Sequence, residues 1–259
     1  MQYHNLLVEI KDTIAIVTFN RPAVLNAMNT ETVTELGDAV TALEGNAQVR
    51  VIILTGTGKA FVAGADIAEM STKTPAQARA YSELGHRVMN TIQTLKKPVI
   101  AAVNGYALGG GTEVVLSCDI CIASELAKFG LPETILGIIP GWGATQRAAR
   151  LIGAAHTKEL IFTGGLIDAN KAGEIGLINR VVPHEQLMDA VMQLAQKISE
   201  QSPLALSMAK KIIHEGLDQS LAGGCRMETE VFCSLFGTDD QQEGMKAFLE
   251  KRKPQFSGR

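Results

Sequence analysis

One order of events recurs along this chain and constrains its fold more than any single motif. Residues 49–55 (VRVIILT), 98–103 (PVIAAV) and 119–123 (DICIA) are short apolar runs rich in β-branched residues. Each is followed by glycine, an irregular loop and a helical pattern. A strand that is apolar on both faces has to be covered on both faces. Alternating helices supply that cover, so the rhythm predicts an α/β core. The spacing is too loose for a repeat array.

The flanking segments fit the same frame. Residues 8–19 (VEIKDTIAIVTF) form two β-type stretches around Lys11-Asp12, which predicts a hairpin. Val33, Leu36, Val40 and Leu43 have helical spacing over 30–43, with Thr30 as the expected cap. Helices are expected over 76–94, from the glycines to about 118, and over 144–152, 156–163 and 169–175, with a strand at 177–182. Residues 132–142 read as irregular. From residue 183 onward the pattern is almost wholly helical, over 185–199, 204–216, 221–236 and 241–251. Two regions are therefore expected: a catalytic core over 1–195 and a helical region over 196–259. Apolar stretches such as 222–236, with no sheet of their own, need the core or another subunit to cover them.

Composition narrows the function. The chain of 259 residues is 46% hydrophobic and carries 24 basic against 27 acidic residues, a net charge of −3. That balance gives no footing for nucleic acid. No apolar run is long enough to span a membrane, and the residues after Met1 carry no secretory pattern. Four cysteines in a chain this size do not make a disulfide framework, so a reducing, cytoplasmic compartment is expected.

Several motifs fail on inspection. GTGKA (56–60) lacks the Walker pattern, which needs glycine where Ile53 stands and Ser or Thr where Ala60 stands. Gly105 and Gly109–Gly111 do not fit a dinucleotide fingerprint. No G-x-S-x-G elbow is present. Cys118 and Cys121 form a C-x-x-C where a helix ends, not where one starts, so packing is the expected role. The five histidines are scattered singly, outside any metal-ligand spacing.

What remains is GYALGGGTEVV (105–115), three glycines and an acid in an apolar run. First-turn amides of a helix have no internal acceptor and carry partial positive charge. Glycine lets a ligand oxygen come close to them, which is the recipe for an oxyanion site. Glu113 lies three residues past Gly110, on the same helix face. A close-packed helix start with a capping acid remains the other reading. A second loop, FVAGADI (61–67), also follows a buried strand and offers a backbone amide beside a glycine. A third, FGLPE (129–133), sets Glu133 in a Pro/Gly-shaped loop. Two carboxylates and two amides make an acid/base and oxyanion set. Asp66 as a helix cap and Glu133 as a surface acid are the alternatives.

These residues carry a resemblance. The segments NRPAVLNAM (20–28), AFVAGADIAEM (60–70), KPVIAAVNGYALGGGTE (97–113), CDICIAS (118–124), KFGLPETILGIIPGWGATQR (128–147), FTGGLIDANKAGEIGLINRVV (162–182) and MKAFLEKRKPQF (245–256) resemble the crotonase superfamily, most closely its bacterial short-chain enoyl-CoA hydratases. The resemblance implies an α/β fold, a crotonase-like spiral of ββα units with a C-terminal helical trimerisation region. It implies a homotrimer or dimer of trimers and an acyl-CoA thioester substrate, with no metal or redox cofactor, coenzyme A being part of the substrate. It implies that the amides of Ala65 and Gly110 hold the thioester oxygen and that Glu113 and Glu133 flank one water. It implies coenzyme A contacts at Arg21, along Ala63, Ala65, Asp66, Ile67 and Ala68, and from Phe248 and Lys251 to the nucleotide of a neighbouring subunit. Ala23 and Ala68 stand where some hydratases carry lysine. Trp142 and Ala144 stand where smaller or glycine residues are common; Trp142 either shapes the acyl end of the pocket or packs. Double-bond isomerisation, CoA-ester hydrolysis and an RNA-binding or structural relative are the competing functions.

Overall fold

The computed structural model describes residues 2–259. The chain opens with a hairpin of β1 (Leu6–Lys11) and β2 (Ile14–Phe19), then α1 (Thr30–Gly45). Strands β3 (Val51–Gly56) and β4 (Ala60–Val62) lead to a single turn, α2 (Ile67–Met70), and the long α3 (Pro75–Thr94). Strands β5 (Val99–Val103) and β6 (Tyr106–Leu108) lead to α4 (Gly110–Ser117). Strands β7 (Ile120–Ser124) and β8 (Lys128–Gly130) lead through a 3-10 turn to α5 (Ala144–Leu151) and α6 (Gly153–Thr163). β9 (Leu166–Asp168), α7 (Ala169–Glu174) and β10 (Arg180–Val182) close the core. Helices α8 (Leu187–Ser199), α9 (Pro203–Gly216), α10 (Leu221–Leu235) and α11 (Asp239–Leu249) follow.

The strands sort into two sheets. One runs in the order β1-β2-β3-β5-β7-β10, the other β4-β6-β8-β9. The pairs β3/β4, β5/β6 and β7/β8 thus each send the first strand to the large sheet and the second to the small one. The apolar runs are apolar on both faces because both faces are covered. Ile52, Leu54, Val99, Ala101 and Val103 join a core with α1, α3 and the small sheet. Their alternate neighbours Val51, Ile53, Ile100 and Ala102 pack on Leu187, Val191 and Ala195 of α8. A period of two along each strand makes this division.

Two expectations are corrected, and four strands are added to the expected set. The cap of α1 is Asn29, whose side chain accepts from Thr32 N, because Thr30 is already helical. The strand expected over 177–182 is confined to Arg180–Val182: Leu177 N still closes the end of α7 by donating to Ala172 O, and only from Asn179, whose N donates to Cys121 O of β7, does the chain join the sheet. The short strands β4, β6, β8 and β9 escape strand patterning altogether. Three residues are too few to show an alternation.

Helices α9 to α11 add no strand. Lys210 of α9 ties this region to the core, its Nζ donating to Asp119 Oδ2 at 2.8 Å and to the Ile92 and Lys97 carbonyls. Arg50 does the same for the tail, donating to the Phe256 carbonyl at 2.7 Å. On α10 and just beyond it Leu221, Phe232 and Phe236 stay exposed. None of the helices is long and apolar enough to cross a membrane, among the described residues.

Candidate active site

The small sheet builds the start of α4. Gly109 N donates to Gly130 O at 2.9 Å, and Thr112 Oγ1 lies 2.6 Å from Ala107 O and 2.9 Å from Gly130 O. Gly109 sits at φ 50°, ψ −118°, a combination that side chains disfavour. A Cβ there would also come 2.6 Å from Glu133 Oε1. The glycine therefore serves two ends: it turns the chain into the helix, and it leaves room for the second carboxyl.

The loop after β4 meets this helix start closely. A Cβ on Gly111 would overlap the Val62 carbonyl, and one on Gly64 would lie 3.4 Å from Leu108 O. Met28 bridges to Ala65 in parallel: Met28 N donates to Gly64 O and Asp66 N to Met28 O, each at 2.9 Å. Those bonds use the Gly64 carbonyl and the Asp66 amide and leave the Ala65 N–H out. Neither the Ala65 nor the Gly110 amide donates to another described residue. Two uncommitted donors thus stand on adjoining segments.

Glu113 is 2% exposed. Its Oε1 accepts from Trp142 N at 2.8 Å and Ala144 N at 2.9 Å. Ala144 opens α5, so the carboxylate rests at the positive end of a helix. Burial pushes its pKa up; the amides of Ala144, Trp142 and Gly143 and the charge of Arg147 pull the other way. Glu133 differs. Its Oε2 is buried with no hydrogen-bond partner among the described residues. Burial first, and then the Glu113 charge, push its pKa up to about 7. The reading of Glu133 as a surface acid is thereby set aside.

Trp142 packs: it is 3% exposed and meets Tyr81 edge-on at 5.2 Å. Its indole lies between two glycines, since a Cβ on Gly85 would overlap Cδ1 and Nε1 and one on Gly110 would lie 2.5 Å from Cζ3. The Tyr81 hydroxyl donates to Met28 O at 2.7 Å, which joins this wall to the Ala65 loop.

The remaining expected residues scatter more. Asp66 caps α2, accepting from Glu69 N, and its other oxygen takes a 3.0 Å bond from Arg21 Nη2. Arg21 also donates to the Ala27 carbonyl. Ala63 is half-buried, whereas Ile67 and Ala68 are exposed beside them. Phe248 is 83% exposed on α11, and Lys251 follows in a left-handed turn at φ 55°. Neither is hydrogen-bonded or ion-paired to the residues around Gly110. Cys118 and Cys121 are free thiols, with burial pushing both pKa values up, as packing residues should be. Sequence reasoning missed the amides of Trp142 and Ala144, and also Arg147. The one visible signal was G-W-G in an irregular loop just before a helix.

Known proteins share this sequence pattern and fold. The profile of the enoyl-CoA hydratase/isomerase family matches residues 9–259. The chain is similar to the short-chain-enoyl-CoA hydratase of Clostridium acetobutylicum, at 45% identity over 98% of this chain and 97% of that protein. It is equally similar to the crotonyl-CoA hydratase of Syntrophomonas wolfei, at 45% identity over 99% of each. The crystal structure of enoyl-CoA hydratase from Bacillus anthracis superposes with a TM-score of 0.96 at 41% identity, covering 99% of this chain and 100% of that one. The chain belongs to the enoyl-CoA hydratase/isomerase family.

Proposed function

We propose that this enzyme adds water reversibly to a short-chain trans-2-enoyl-CoA, giving the 3-hydroxyacyl-CoA. One observation carries this reading: two desolvated carboxyls in different states flank the start of α4, one held by amides and the other without a partner. The names of the similar hydratases support the short acyl chain.

The Ala65 and Gly110 amides receive the thioester oxygen. Negative charge grows on that oxygen as water attacks the β-carbon, and fixed donors in a dry site stabilise it most in the transition state. Glu113 takes a proton from the attacking water, whose OH goes to the β-carbon. Glu133, held partly protonated near pH 7 for the reason above, gives its proton to the α-carbon. The sum is one OH and one H added; the two carboxyls exchange protonation states and reset through solvent. The step is neither oxidation nor reduction, so it needs no cofactor beyond the CoA of the substrate.

Coenzyme A runs along Ala63–Ala68. Arg21, already paired with Asp66, supports that loop and lies at the phosphate end. The exposed apolar side chains of α10 support a homotrimer or dimer of trimers, in which Phe248 and Lys251 reach a neighbour's nucleotide. Sedimentation at a multiple of three times 27.6 kDa checks the assembly. Free thiols support a reducing, cytoplasmic setting.

Loss of enoyl-thioester absorbance, with crotonyl-CoA and longer esters, tests reaction and chain length together. Glu113→Gln should lower kcat by about 10²-fold or more while CoA binding survives. Full turnover in that variant sinks the assignment. All three reactions remove the conjugated band, so the product decides: a 3-enoyl-CoA or free CoA thiol in place of the 3-hydroxyacyl-CoA would point instead to isomerisation or hydrolysis.

A further inference from the structure

The cradle of Glu113 is a loop, and loops need to be held. Ser82 Oγ donates to Gly141 O at 2.7 Å. The stronger hold comes from Arg147, on the first turns of α5. Its Nη1 donates to the Trp142 carbonyl at 2.9 Å. Its Nε donates to Gln93 Oε1 at 2.7 Å and its Nη2 to Asn90 Oδ1 at 2.5 Å, both on α3. A Cβ on Gly143 would overlap Nη1, so the loop backbone is shaped to admit this guanidinium.

Two facts about Arg147 stand out chemically. Every acceptor it uses is neutral, and it forms no ion pair among the described residues. Taking an arginine partly out of water without a carboxylate is expensive. The carboxylate whose charge it feels is Glu113. The Trp142 carbonyl that it polarises belongs to the same peptide unit as the Gly143 N–H, one of the amides that favour ionised Glu113. Hydrogen bonds in such a chain strengthen one another.

We propose that Arg147 is a positioning residue for Glu113: it clamps the 142–144 amide cradle to α3 and leaves its own charge unpaired, facing the base. This rests on the hydratase reading only for its kinetic consequence. The titratable groups around Glu113 and its cradle are Arg147 from α5, Glu133 from the loop after β8, and Tyr81 and His86 from α3, the last lying 3.8 Å from where a Gly143 Cβ would stand. Tyr81 stays neutral, because burial pushes its phenol far up. Arg147 is the permanent cation among them, and its removal should favour the protonated form of Glu113.

The experiment titrates the Glu113 carboxyl directly, by carbon-13 NMR of labelled glutamate, with Glu113→Gln assigning the signal. Arg147→Met should raise the Glu113 midpoint by about one pH unit, the low end of what an opposite charge does. Arg147→Lys should keep most of the midpoint but not the geometry. On crotonyl-CoA, Arg147→Met should lower kcat by about 10²-fold with KM nearly constant, as misplacement of a reacting group does. Arg147→Lys should recover part of that loss. An unmoved midpoint in folded Arg147→Met overturns the proposal, as does wild-type kcat. If Arg147→Met does not fold, an Arg147→Lys variant with wild-type kcat overturns it equally. If the unaltered enzyme fails to hydrate any enoyl-CoA, the functional reading falls, while the titration still decides whether Arg147 acts on Glu113.

Discussion

Gly85→Ala gives a sharp test of how the site is walled. Gly85 lies in the middle of α3, on its buried face. By propensity alone the change should stabilise the helix by about 1 kcal/mol. The structure predicts the opposite sign. The new methyl group overlaps Cδ1, Nε1 and Cε2 of Trp142. The indole has nowhere to go, with Gly110 against its far edge and Tyr81 across its face. Overpacking of such a site costs about 1–3 kcal/mol, and the closed surroundings put this case near the upper end. The net effect is then destabilisation by about 2 kcal/mol. Remove the obstacle and the sign should flip: in a Trp142→Leu background, Gly85→Ala should stabilise by about 1 kcal/mol. The coupling between the two sites is about 3 kcal/mol, the difference of those values. Urea denaturation of the four proteins, at one protein concentration, measures it. Gly85→Ala should also lower kcat, since a displaced Trp142 withdraws an amide from Glu113. Equal effects in both backgrounds would refute the packing account.

Two further perturbations probe the carboxyls. Gly109→Ala should destabilise the fold by about 1–3 kcal/mol through its backbone geometry alone. It should also lower kcat by pushing on Glu133 Oε1, and calorimetry with turnover assays reads both; a stable, fully active variant would detach Gly109 from the site. The raised pKa of Glu133 makes a pH prediction with a definite sign. The folded protein holds this proton up to about pH 7, whereas an unfolded glutamate releases it near its ordinary value. Between those points the native state binds more protons, so Glu133 contributes stability at low pH that is lost as pH rises toward 7. Glu133→Gln should flatten that part of the stability curve. Hydration by the unaltered enzyme should decline above about pH 7 as the proton donor ionises.

Legibility in the sequence followed length and locality. The large sheet was legible because β3, β5 and β7 are apolar runs of five or six residues with buried neighbours on both faces. The small sheet was not, because strands of three residues carry no period; it entered only through the family resemblance. Gly110 and Glu113 were legible as an odd pairing, glycine with acid in an apolar helix, but their meaning was open until Glu133 and Ala65 joined them. Arg147 was illegible for a physical reason. Its role depends on which carbonyl it reaches and on the absence of a carboxylate partner, and neither is a property of sequence spacing. Asp66 illustrates the opposite hazard. Its capping of α2 and its pairing with Arg21 are both local structural roles, and they coexist with the CoA stretch that the resemblance implies.

The division of labour between two identical side chains follows from their surroundings. Glu113 is the more deeply buried and by desolvation alone would be the better candidate for the neutral form. It is instead given amide donors and a nearby cation, all of which favour charge. Glu133 has only its own backbone amide to favour charge, and its Oε2 has no donor at all. The charge retained by Glu113 then adds to the burial of Glu133 and pushes it further toward the neutral acid. Burial raises the pKa of both carboxyls, and the donors and the cation given to Glu113 oppose that rise, which is how surroundings can assign a base and an acid to like side chains. The order of causes matters. The Trp142–Ala144 cradle and Arg147 favour ionisation of Glu113, and that charge in turn helps keep Glu133 protonated. A change that neutralised Glu113 would therefore remove the base and also leave less Glu133 in its protonated, donating form, which should appear as a lower Glu133 midpoint in Glu113→Gln.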